Sequence, residues 1–164
     1  MNSIKEPMKN LAHEITYRRY LLSKDDARFV FKDVNIAEYI VLHFMSEQIE
    51  SDSIYSDRIY LSEISEKLNL PIRKTSKLIR EMSGKNLINW GHDGDGKDGT
   101  YVTLTEHGKS VFEETDGKLK DFYTRVLQSF GREKMIQLLS LMKEFDTVVR
   151  TELEQTEDNY ETAE

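Results

Sequence analysis

Between Leu61 and Thr105 the apolar positions change period, from helical spacing to strict alternation, with a glycine-rich turn inside the alternating part. Leu61, Ile64 and Leu68 recur at i, i+3 and i+7, one face of a short helix. Asn69-Leu70-Pro71 ends that helix: Asn tolerates the left-handed backbone of a helix end, and the fixed φ of Pro71 suits the first turn of another. A second helix is predicted from Ile72 to about Lys85, and winding it at 3.6 residues per turn puts Ile72, Thr75, Leu78, Ile79 and Met82 on the buried side. Leu87 to Trp90 and Thr100 to Leu104 then alternate as half-buried strands, Ile88 and Trp90 on one face, Val102 and Leu104 on one face. His92 to Gly99, between them, holds three of the chain's eight glycines, which favours a turn over packed structure.

The flanking segments read as further helices. Met8, Leu11, Ile15 and Leu22 form a stripe through the first, widened by Tyr17, Tyr20 and Leu21. Asp25 to Asp33 is irregular. Asn35-x-x-Glu38 has the form of a capping box and opens a helix in which Ile36, Ile40, Val41 and Phe44 continue to about Gln48. A polar loop from Ser51 to Arg58 follows, and Ile59-Tyr60 suits a short third strand. Thr105 is a natural N-cap for a long helix marked by Val111, Phe112, Leu119, Phe122, Tyr123, Val126 and Leu127 and ending near Gly131. A final helix carries Met135, Ile136, Leu138, Leu139, Leu141, Met142, Phe145, Val148 and Val149, apolar on more than one side. Such a helix must be covered on both sides, and a second copy of the chain is the simplest cover. The expected fold is mainly α with a small antiparallel β-hairpin, a winged helix-turn-helix flanked by N- and C-terminal dimerisation helices. Residues 1–34 are expected to form the N-terminal dimerisation helix and linker, and 35–105 the winged helix-turn-helix with its wing at 91–99. The C-terminal dimerisation helices then span 106–150, and an acidic disordered tail 151–164.

Charge sharpens the picture at one helix. From Pro71 to Lys85 there are five basic residues and one acidic, a local charge of +4 in a chain whose total is −7. Arg73, Lys77 and Arg80 fall at i, i+4 and i+7 on the face opposite the apolar one, with Lys74 and Ser76 at its edges. Basic runs are commonly just solvated helix faces. On the second helix of a helix-turn-helix, the same stripe is what a DNA major groove requires: donors for phosphates and base edges in front of an apolar back. The net acidity does not oppose this. The last fourteen residues hold six acidic and no basic side chains, leaving residues 1–150 at about −1. Their composition favours disorder.

Three other motifs are spelled in the glycine-rich loop and excluded by their surroundings. Gly94-x-Gly96-x-x-Gly99 matches a dinucleotide fingerprint, but that motif must open a helix and here a strand follows. The same glycines resemble a kinase phosphate loop, yet Tyr101 stands where Val is wanted, and no His-Arg-Asp or Asp-Phe-Gly follows. Asp93-x-Asp95 begins like a calcium loop, but Lys97, Asp98 and Leu104 occupy its fifth, sixth and twelfth positions. No nucleophile elbow, His-Glu-x-x-His or phosphate loop occurs, so no enzyme, cofactor or metal role is expected. His13, His43, His92 and His107 fall on separate elements, which disfavours a shared metal. The lack of Cys, of a signal peptide and of any long apolar run points to the cytoplasm and away from a membrane.

With these residues in view, Leu61 to Gly108 resembles the winged helix of the multiple antibiotic resistance regulator (MarR) family. The resemblance rests on the Leu61-Ser-Glu-Ile64 opening, the Leu87-Ile88 pair after the second helix, and Leu104-Thr105-x-x-Gly108 closing the wing. Asn86 stands where the family usually has Gly, and Trp90 replaces a commonly basic strand residue, a change expected to serve packing. The family's wing-tip Arg position, counted back from Leu104-Thr105, holds Asp98, with Asp95-x-Lys97 one residue out of register. The resemblance implies a homodimeric repressor that binds a palindromic operator in double-stranded DNA and responds to a small-molecule effector. Arg73, Lys74, Ser76, Lys77, Arg80 and Lys97 are the DNA-contact residues it suggests, and no effector-binding residue can be named. The competing reading is a winged helix for protein–protein interaction, its acidic wing and tail meeting a basic partner.

Overall fold

The computed structural model of the 164-residue chain describes residues 11, 13–18, 30–49, 58–94 and 99–161. Its elements are α1 (Ile36–Ile49), β1 (Ile59–Tyr60), α2 (Leu61–Leu68), α3 (Ile72–Gly84), β2 (Ile88–His92), β3 (Thr100–Leu104), α4 (Glu106–Phe130) and α5 (Arg132–Glu161). Residues 13–18 are also helical. The fold is mainly α with one small antiparallel sheet in the order β1-β3-β2, so the anticipated short third strand is present as an edge. Leu11 and Ile15 of the anticipated first stripe are exposed; Met8 and Leu22 lie outside the described residues.

Element boundaries follow from local hydrogen bonding. Asn35 and Glu38 form the reciprocal box: the Glu38 N–H donates to Asn35 Oδ1 at 2.9 Å, and the Asn35 N–H to Glu38 Oε2 at 2.8 Å. α2 ends on Asn69 in the left-handed conformation, φ 50°, its N–H and that of Leu70 returning to Glu66 and Ser65 carbonyls at 3.0 Å. α3 is followed by Asn86 at φ 58°, a conformation that Asn accepts almost as Gly does. Thr105 caps α4, its Oγ1 accepting the Gly108 N–H at 2.8 Å. Gly131 at φ 96° separates α4 from α5.

The chain divides into two compact units, Met1–Lys118 and Leu119–Glu164. In the first, Val41, Leu42 and Met45 of α1, Ile59, Ile64, and Leu78, Ile79 and Met82 of α3 are buried together with Leu87, Ile88, Val102 and Phe112. Val102 is the hub of the sheet, paired with Ile59 on one side and Trp90 on the other. The start of α4 belongs to this unit. Phe112 stacks on Tyr39 with ring centroids 5.9 Å apart, and the Tyr39 hydroxyl donates to Asp116 Oδ1 at 2.9 Å. In the second unit, by contrast, no described side chain of α5 is buried. Among the described residues no helix is long and apolar enough to cross a membrane.

Four expectations change. In α1 the core takes Leu42 and Met45, whereas Ile36 and Ile40 of the anticipated stripe are exposed; the helix is apolar nearly all round, so periodicity could not choose its inner face. Ile72, expected on the buried side of α3, is 52% exposed. Trp90, expected to pack, is 41% exposed. The segment 151–164, expected to be disordered, continues α5 as far as Glu161. Its composition argues for disorder in isolation, but extending an existing helix needs no new nucleus, and its Glu and Leu residues propagate helix well.

Candidate nucleic-acid interface

α3 is placed by its apolar back. Thr75, Leu78, Ile79 and Met82 are buried, which leaves Arg73, Lys74, Lys77 and Arg80 on the exposed part of the helix. Lys77 lies 3.9 Å from Glu81, with its side chain 79% exposed, a pairing too open to hold the ammonium against a competing phosphate. Among the described residues Arg73, Lys74 and Arg80 have no ion-pair partner. The N-terminus of α3 follows Pro71 and has no side-chain cap, so its first N–H groups add positive potential to the same end.

Two hydroxyls on α3 are already engaged. Thr75 Oγ1 donates to the Pro71 carbonyl at 3.3 Å from a buried position, and Ser76 Oγ donates to the Ile72 carbonyl at 2.9 Å. Ser76 therefore offers lone pairs outward while its proton is held within the helix. Lys85, counted among the basic residues of the segment, points elsewhere: its ammonium donates to Glu38 Oε2 at 2.7 Å and reaches the Asp33 carbonyl at 3.4 Å. That pair ties the end of α3 to the start of α1 through a carboxylate 1% exposed.

Between β2 and β3 the Asp93 N–H donates to the Gly99 carbonyl at 3.1 Å. Lys97, the predicted wing contact, lies outside the described residues, as do Asp95 and Asp98. At the wing's foot the Tyr60 hydroxyl donates to Asp93 Oδ2 at 2.7 Å, which raises the phenol above its ordinary pKa. Tyr101 lies edge-on to Tyr60 at 6.2 Å, under the Arg58 guanidinium, which sits 4.5 Å from the ring centroid. Gly91, the cross-strand partner of Tyr101, makes room for this ring, because a Cβ there would collide with it. Nothing in the sequence marks Arg58 beyond its place at the end of a polar loop. Only the pairing of β1 with β3 brings it beside Tyr101.

The other polar clusters are structural. His43 lies against Phe112 and Tyr39, 3.6 Å from Glu47, and His92 Nδ1 accepts the Gly94 N–H at 3.0 Å. Among the described residues no group of three or more His, Asp or Glu side chains could hold a metal ion. A 450 Å³ groove along α4 is lined by Phe122, Arg125, Val126, Ser129 and Phe130.

No protein-family model and no curated protein matches the sequence. Solved structures do match its fold. A MarR/EmrR family transcriptional regulator from Acinetobacter sp. ADP1 aligns with a TM-score of 0.61 at 19% identity, covering 88% of this chain and 97% of its own. Reduced AbfR bound to DNA aligns at 0.56 and 18%, covering 77% and 96%. NadR in complex with 4-hydroxyphenylacetate aligns at 0.55 and 15%, covering 82% and 89%. The chain thus has the winged-helix fold found in MarR family regulators.

Proposed function

We propose that this chain is a MarR-family transcriptional regulator that binds double-stranded DNA in a sequence-specific manner as a homodimer and acts as a repressor at a palindromic operator. The observation that carries the reading is α3, a helix with an apolar back, four outward cations and an uncapped N-terminus, held in a winged helix-turn-helix. Arg73, Lys77 and Arg80 contact phosphates or guanine edges, Lys74 adds a flanking phosphate contact, and Ser76 accepts from a base-edge donor. Lys97 is the candidate contact of the wing. The fold is shared with a DNA-bound neighbour and with one that holds an aromatic acid, which supports a small-molecule effector for this chain too. The setting for these partners is the cytoplasm.

Fluorescence anisotropy on the DNA upstream of the chain's own gene, at two salt concentrations and against a scrambled duplex, tests the reading. Tighter binding to the upstream duplex, weakening with salt, is expected. Equal weak binding to both duplexes would instead favour a protein–protein interaction module.

A further inference from the structure

Among the charged and hydroxyl side chains on the outward part of α3, its first residue is apolar. Ile72 is 52% exposed, whereas Leu78, Ile79 and Met82 on the same helix are at most 9% exposed. At 100° per residue, Ser76 lies about 40° around the helix from Ile72, so the two form one edge of the outward face beside Arg73 and Arg80.

What this edge can read is limited by the hydrogen bonds already made. The Ser76 proton is held by the Ile72 carbonyl and the Thr75 hydroxyl is buried on the Pro71 carbonyl. From Ile72 to Gly84 there is no Asn or Gln, the side chains that pair bidentately with adenine. Arginine and lysine read guanine. The one base-edge feature of the major groove that no hydrogen bond can read is the thymine C5-methyl group, and its complement is an exposed apolar side chain near the N-terminus of the recognition helix, where base contacts concentrate. Ile72 is such a side chain.

We infer that Ile72 is a specificity-determining residue that packs its branched side chain against the C5-methyl group of one thymine in each half-site. This rests on α3 being the DNA-facing helix, and it adds a methyl-reading position to a helix otherwise equipped for phosphates and guanine.

The test uses the full chain and duplexes it selects from a random pool. In a selected duplex, each thymine is replaced in turn by deoxyuridine, which removes the C5-methyl and keeps every hydrogen-bonding group. With the wild-type chain one position per half-site should lose affinity by about 3- to 5-fold, the value of one buried methyl group. With Ile72→Ala that position should become insensitive to the replacement, and with Ile72→Val the sensitivity should return. Thermal unfolding followed by circular dichroism should show both variants folded, because an exposed side chain supports little core. Selected duplexes with no deoxyuridine-sensitive position, or sensitivity that persists undiminished in Ile72→Ala, would overturn the inference while leaving DNA binding intact. A pool that yields no selected sequence would overturn the DNA reading and this inference together.

Discussion

Arg73 and Lys77 stand one turn apart on α3, exposed and on the side away from Leu78 and Ile79. On the proposed reading each phosphate they neutralise releases condensed counterions, so replacing both by Ala should weaken binding and flatten the plot of log K against log salt by about 0.9 for each phosphate no longer neutralised. An unchanged slope in anisotropy titrations would remove them from the interface. Lys85 has the same chemistry and a different task. Removing its ammonium leaves the Glu38 carboxylate buried with fewer donors, so Lys85→Met should lower stability by about 1–3 kcal/mol in urea melts, with the salt slope of DNA binding unchanged. Tyr39 reports on a third local environment. Burial first, and then its hydrogen bond to Asp116, raise its phenol well above the ordinary value. The folded chain therefore holds this proton to a higher pH than the unfolded chain. Stability from it is fully present below pH about 10 and is lost as pH rises further. A titration at 295 nm should show a late phenol that disappears in Tyr39→Phe, while the raised phenol of Tyr60 remains.

At the level of elements, the start of α4 is seated on the turn between α3 and β2. Gly108 packs so closely on the Leu87 carbonyl that a Cβ would collide with backbone, and that carbonyl is fixed by the Thr105 N–H at 3.1 Å. Gly108→Ala should cost about 1–3 kcal/mol, read as a lowered denaturation midpoint with an unchanged m-value. A midpoint equal to wild type would mean that the joint yields. This joint is half legible in the sequence, where Thr105 announces the cap while the approach of Gly108 to Leu87 leaves no signal, since it depends on residues some twenty positions apart. The same division runs through the fold. Asn35-x-x-Glu38, Asn69-Leu70-Pro71 and the alternation across the hairpin are local chemistry, and the elements they predict are present. Periodicity misplaces Ile36, Ile40 and Ile72 because hydrophobicity says that a side chain favours burial, not that a neighbour exists to bury it. The basic stripe of α3 is legible because its apolar back fixes its orientation, whereas the clamp from Lys85 to Glu38 and the stacking of Arg58 on Tyr101 arise only from tertiary placement.

For the whole molecule, the distribution of buried apolar surface is the telling quantity. Every buried apolar side chain among the described residues lies at or before Phe112, while Ile136, Leu139, Met142, Phe145, Val148 and Leu153 of α5 are each 42–59% exposed. At 100° per residue these positions spread over well over a third of the helix circumference, broader than a single packing stripe. Exposed apolar surface on that scale marks an association site, and a two-fold dimer is the assembly a palindromic operator requires. Sedimentation of the full chain at micromolar concentration should therefore give twice the 19.2 kDa chain mass. Leu139→Glu combined with Phe145→Glu should shift it to the monomer, because a carboxylate buried in an apolar interface carries a desolvation cost of several kcal/mol unless a cation meets it. Neither position contributes to the buried set of the first unit, so the far-ultraviolet signal and the unfolding of the winged helix should survive. Operator affinity should fall steeply, since one recognition helix must then act without the second. A double variant that stays dimeric would place the interface elsewhere, and one that turns monomeric yet binds the full operator as tightly as wild type would separate dimerisation from DNA recognition.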